Sequence, residues 1–238
     1  IASATPDVLD PSTLGSGSPN LLLAIPAGDG LIFDDDFNGL GNWPINVATG
    51  SGQSSVCSGY CASISSASDT AYLGDDRPDE EYVYRVAFQL TAEDMTFGPD
   101  SEVILFRARG AGDATLFEIS LKTGPDGFGE QFPMLRVVAQ TNSGTLEELV
   151  ELPSGSFVEP TLQLEFEWVP SAFASEPEGF FRLWSRLVAL QNVQLLISLD
   201  ELATFGMNVE SALLGVVSVS GLVDGELRFL DFKSRRED

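Results

Sequence analysis

Short runs of alternating apolar and polar residues, each cut off by turn residues, recur from residue 32 to residue 236 of this chain. Alternation of period two puts one strand face in a core and the other in water. Residues 82–90, 103–109, 116–121, 135–139, 162–168 and 180–184 all follow it. Between them lie Gly110-Ala111-Gly112-Asp113, Gly124-Pro125-Asp126-Gly127, Asn142-Ser143-Gly144 and Glu176-Pro177-Glu178-Gly179, rich in residues that favour turns. Many short strands without intervening long helical patterns predict an antiparallel sandwich or barrel. Only residues 195–205 offer a helical turn or two. The first alternating segment, residues 32–37, and the last, residues 225–236, are expected to meet in one sheet.

A chain of 238 residues, 43% of them hydrophobic, is long enough to bury a sizeable core in one such domain. No stretch reaches the roughly 20 apolar residues that span a bilayer as a helix. Lys and Arg number 12 against 36 Asp and Glu, a net charge of −24. A field of that sign repels phosphate backbones, so nucleic acid is not an expected partner, while neutral glycans, cations and basic surfaces stay open. Histidine is absent. Catalysis by a Ser-His-Asp or Cys-His arrangement and His-ligated metal sites are thereby excluded for this chain alone.

The two cysteines, Cys57 and Cys61, flank Ser58-Gly59-Tyr60. They are too few for a four-cysteine metal site, and their spacing is not that of a redox pair. A disulfide across a small loop, with Gly59 at the turn, is preferred to two buried thiols, and it points to export into an oxidising compartment. Residues 1–30 read as an irregular extension punctuated by Pro6, Pro11, Pro19 and Pro26, ahead of a domain at 31–238. Within the extension, Leu21, Leu22, Leu23 and Ile25 form an apolar run suited to docking as an edge strand, on its own body or on a second copy of the chain.

Four stretches resemble a group of exported bacterial modules with the concanavalin A-like, laminin G-like jelly roll. They are Phe33-Asp34-Asp35-Asp36-Phe37-Asn38-Gly39-Leu40-Gly41-Asn42-Trp43, residues 72–88, Leu164-Glu165-Phe166-Glu167-Trp168 with Phe181-Arg182-Leu183-Trp184, and residues 225–236. Glu167 stands where the group has Asp, and Ser185-Arg186 replaces its Asp-Gly turn. The resemblance implies an antiparallel jelly-roll β-sandwich of the concanavalin A-like lectin or glucanase type, secreted or held at a bacterial cell surface. It implies no particular activity.

Several constellations invite chemistry. Glu165 and Glu167 are two apart on a strand and therefore share a face. Within a jelly roll that pairing resembles the laminarinase-like glycosidases, although a third acid of their motif is missing here. The alternative is a polar outer face opposite Leu164, Phe166 and Trp168. Asp75, Asp76 and Asp79 are oxygen donors of the kind calcium takes, or else part of a solvated acidic rim. Trp168 and Trp184 are both expected in the core, leaving Tyr60, in the cystine loop, as the exposed aromatic for stacking on a sugar. Arg85, Arg107 and Arg109 are expected on a polar sheet face, and Arg235-Arg236 beside local carboxylates. Three readings of function follow: a non-catalytic module that binds a glycan or surface polymer, a building block of an extracellular assembly of its own copies, and a glycosidase using Glu165 and Glu167.

Overall fold

A computed structural model describes residues 30–92, 95–123, 133–152, 161–187 and 193–236. Their strands form two antiparallel sheets packed face to face as a jelly-roll sandwich. Labelled in chain order, the main path of the larger sheet runs in space β14 (Val193–Leu202), β13 (Gly179–Leu187), β12 (Leu162–Val169), β6 (Tyr84–Thr91), β16 (Val223–Arg236), β4 (Tyr60–Ile64) and β3 (Gln53–Val56). Two further short strands, β1 (Leu31–Asp35) and β7 (Thr96–Phe97), pair with β16. The smaller sheet runs β11 (Gly144–Glu151), β10 (Pro133–Thr141), β9 (Ala114–Thr123), β8 (Glu102–Gly110), β15 (Ser211–Ser220), β5 (Thr70–Asp75) and β2 (Ile45–Thr49). The helical turns among the described residues are two short 3₁₀ segments, Leu40–Asn42 and Ala111–Asp113.

The first and last alternating segments do pair. On one side of β16, β4 covers Gly225 to Phe229 and β1 takes over from Phe232 to Arg235. On its other side β6 spans Arg228 to Arg236. The handover falls at a register shift where Asp231 has φ of 48°. Arg236 reaches Glu81 at 3.0 Å, so this arginine does pair with a local carboxylate.

Inward side chains of both sheets meet in one aromatic core. Phe106, Phe117, Phe166, Phe181 and Trp168 pack with ring centroids 4.7 to 6.0 Å apart. A second group joins Phe33, Phe37, Trp43, Tyr60, Phe229 and Phe232. Trp168 is fully buried, and its indole N–H donates to the Met207 carbonyl at 3.0 Å, meeting the requirement that a buried donor be paired.

Residues 195–205 do not form a helix. Most of that run is the edge strand β14, whose backbone bonds to β13 with two register shifts. Burial along it is broken rather than helical: Ile197 and Leu202 turn inward, while Leu195, Ser198 and Asp200 turn out. An apolar run of this length is ambiguous by periodicity, and the free edge of a sheet decided it. The apolar run Leu21, Leu22, Leu23 and Ile25 lies outside the described residues.

Candidate functional site

Strand register builds a patch on the outer face of the larger sheet. Alternation fixes which residues face out: Phe166 and Leu183 enter the core, so Glu165, Glu167, Arg182 and Trp184 face away from it. Three rows then cross the sheet from its β14 edge. One reads Leu195, Trp184, Glu165, Ala87 and Lys233. The next reads Ser198, Arg182, Glu167, Arg85 and Arg235, and the third Val193, Arg186, Gln163, Gln89 and Leu230. Directly opposed side chains on neighbouring strands lie close enough to interact. Glu165 and Glu167 thus share a face as the sequence predicts, and Trp184 stands beside Glu165.

Glu165 is the most perturbed member. It is 3% exposed. The Arg85 guanidinium donates to its Oε1 from Nε at 2.8 Å and from Nη2 at 2.5 Å. Its Oε2 is buried and has no hydrogen-bond partner among the described residues. Burial pushes its pKa up from 4.5 to about 7, against the opposing pull of Arg85 and Arg235 and with added repulsion from Glu167. A carboxyl so placed holds its proton near neutrality and can donate through it. Glu165 also lines a shallow, open depression with Gln163, Trp184, Ser185, Arg186 and Val193.

Trp184 is a correction to the expected core pair. It is half-buried on the outer face, with the Arg85 guanidinium 5.9 Å from its ring centroid. Its parity with Arg182 already carried that signal. Tyr60 is the opposite correction: it is fully buried rather than exposed. It opens β4, and its ring points inward against Phe37 and Phe229 while Ser54 Oγ donates to its hydroxyl at 2.9 Å. A sugar cannot stack on it. The cystine loop around it is present, with Cys57 and Cys61 joined and Gly59 at φ of 148°. A side chain there would collide with the Phe229 carbonyl.

The three acids of the turn that the sequence offers for calcium point in different directions. Asp75 is the last residue of β5, buried and turned toward Arg77, whose Nη1 donates to it at 2.9 Å. Asp76 and Asp79 are exposed. Among the described residues no three of His, Cys, Asp and Glu are grouped to hold an ion. The three arginines expected on one face are split. Arg85 belongs to the larger sheet, while Arg107 and Arg109 belong to β8 of the smaller, pairing with Glu118 at 2.6 Å and Asp113 at 3.4 Å.

No protein-family model matches this chain, and no curated protein matches it in sequence. Solved structures do match its fold. The CBM2 module of the evolved Dit protein of Lactobacillus casei BL23 phage J-1 covers 88% of this chain and 97% of its own, at 11% identity and a TM-score of 0.53. The exoplasmic/lumenal domain of VIP36, in its metal-free form, covers 82% and 86%, at 13% identity and a TM-score of 0.51. An alginate lyase from Alteromonas sp. 272 aligns with 70% of this chain and 78% of its own, at 8% identity and a TM-score of 0.42. At these identities the likeness concerns the fold. No helix among the described residues is long and apolar enough to cross a membrane.

Proposed function

We propose that this protein is an extracellular glycan-binding module whose binding surface is the outer face of the larger sheet around Trp184 and Glu165. The observation that carries this reading is the pairing of a half-buried tryptophan with a shallow depression lined by Gln163, Glu165 and Arg186, where one buried carboxyl oxygen of Glu165 lacks a partner among the described residues. A tryptophan ring offers an apolar platform for the C–H face of a sugar, and convergent polar groups beside it fix orientation. The likeness in fold to the phage CBM2 module supports the same reading. The Cys57–Cys61 disulfide supports an oxidising compartment.

Retention of the protein on gels cast with neutral and acidic polysaccharides tests this. Wild type should be retarded by at least one polymer, and Trp184→Ala should migrate freely with an unchanged circular dichroism spectrum. Retention by none, or equal retention of the variant, would refute the reading.

One observation favours a second reading, glycan hydrolysis by Glu165 and Glu167. A carboxyl held near pH 7 on the same strand face as a second carboxylate has the property required of a general acid. Reducing sugar released by wild type and not by Glu165→Gln would establish it.

A further inference from the structure

The cations around Trp184 on the outer face of the larger sheet are already engaged. The Arg85 guanidinium is held by Glu165 at 2.5 Å, and Lys233 by Asp34 at 3.2 Å. Arg182 lies 4.4 Å from the Phe180 ring centroid and reaches Asp200 at 3.5 Å. Arg186, Arg235 and Glu167 have contacts of their own. A charged ligand group would have to displace one of these partners, and separating a pair leaves an ion without its counter-charge. A hydroxyl needs no such exchange. A guanidinium has several N–H donors and a carboxylate several lone-pair sites, so ions that are already paired can still bond to an alcohol. The field of the whole chain, at −24, further disfavours acidic polymers.

Beside these ions runs an apolar strip. Leu195 stands directly across from Trp184 where β14 pairs with β13. The register shift at that point passes over Leu196, which packs against the core, and Leu195 is left 44% exposed. Neighbouring strands lie about 4.8 Å apart, so the Trp184 ring and Leu195 together offer a contact the breadth of one sugar ring. β14 ends the main path of the sheet, so the strip reaches an edge past which a chain of sugars can continue. Resting on the glycan-binding reading above, we propose that the ligand is an uncharged polysaccharide, one ring of which packs on Trp184 and Leu195 while its hydroxyls bond to Arg182. That arginine is two residues before Trp184 on the same face, its side chain is 37% exposed, and it donates to a single carboxylate among the described residues. Leu195 then belongs to the binding surface as much as the tryptophan does.

Calorimetry of the full chain against laminarin, xylan, mannan and dextran, each paired with its carboxymethyl derivative, tests this. Comparison within a pair at about 0.5 M salt screens the global charge, so the difference reports the site. The expected result is binding of at least one neutral polymer, at least tenfold tighter than its carboxymethyl derivative. Its affinity should change less than threefold between about 0.05 and 0.5 M salt. Leu195→Asp should weaken that binding at least tenfold and Leu195→Met less than threefold, with circular dichroism unchanged in both, because the side chain is exposed on an edge strand. A carboxymethyl derivative bound within tenfold of its parent, or a change of threefold or more with salt, would overturn the uncharged assignment and leave glycan binding intact. A loss below tenfold in Leu195→Asp would overturn the place of Leu195 on the surface. No binding to any polymer would overturn this inference and the glycan-binding reading together.

Discussion

Replacing Glu165 with Gln removes a titrating group whose charged form the fold disfavours, so the stability difference between variant and wild type should grow with pH. The unfolded chain releases this proton near 4.5 and the folded chain near 7. Between those values the folded state binds a proton that the unfolded state has lost, and folding weakens as pH rises. The contribution is fully present below 4.5 and is gone once pH has passed through 7. With each tenfold change in proton affinity worth about 1.4 kcal/mol, it amounts to roughly 3 kcal/mol. The attraction of Arg85 for the ionised carboxylate is already contained in that shifted value, so it needs no separate allowance. Thermal unfolding of both proteins at intervals from pH 4.5 to 8.5 isolates the slope. For a domain of this size the variant should gain about 6–12 °C in melting temperature over wild type across the range. A flat difference, or one that falls with pH, would refute the reasoning and show that Arg85 outweighs burial.

Asp69 should behave with the opposite sign. It accepts from the Ser51 hydroxyl at 2.7 Å and from the Ser51 and Ser65 amides at 2.8 Å, and these bonds, led by the Ser51 hydroxyl, lower its pKa to about 2. Its contribution is complete above 3.8 and lost as pH falls through about 2, so the gap between wild type and Asp69→Asn should narrow on acidification. A gap constant from pH 5 to 2 in acid titrations followed by circular dichroism would show that these bonds do not favour the carboxylate. Phe166 is fully buried with ring centroids of Phe106 and Phe117 at 4.7 and 5.5 Å. Phe166→Ala should cost about 3–5 kcal/mol by urea unfolding, and a loss below 1 kcal/mol would contradict the packing described.

Much of this fold is legible because period-two patterning and sheet burial are the same fact seen twice. Leu164, Phe166 and Trp168 alternate with Gln163, Glu165 and Glu167, and the sandwich needs that alternation to have an inside. Pairing of the two outermost segments follows from the same pattern. Trp184 was legible by parity with Arg182, but the prior that tryptophans of a sandwich are core residues concealed it. Tyr60 misled for a different reason. A cystine loop suggests exposure, yet only Cys57 and Ser58 of it are exposed, and the strand that begins at Tyr60 is inward-facing from its first residue. The cross-strand rows around Glu165 were not legible at all. They depend on register between strands far apart in sequence, which local pattern does not encode.

The place of β16 in the larger sheet has a kinetic consequence. This strand, the last of those described in chain order, lies between β6 and β4, so the two halves of the sheet have no direct partner in one another. Every hydrogen-bonded ladder that joins them waits for a segment synthesised after the other described strands. Pairing at such long sequence separation is slow, because loop closure must precede any gain from contact. During synthesis the edges of β6 and β4 stay open until residues 223–236 emerge, and Arg235 and Lys233 reach the patch only at that moment. Ligand binding is therefore a late reporter of folding, and a refolding chain should regain it no sooner than the completed sheet.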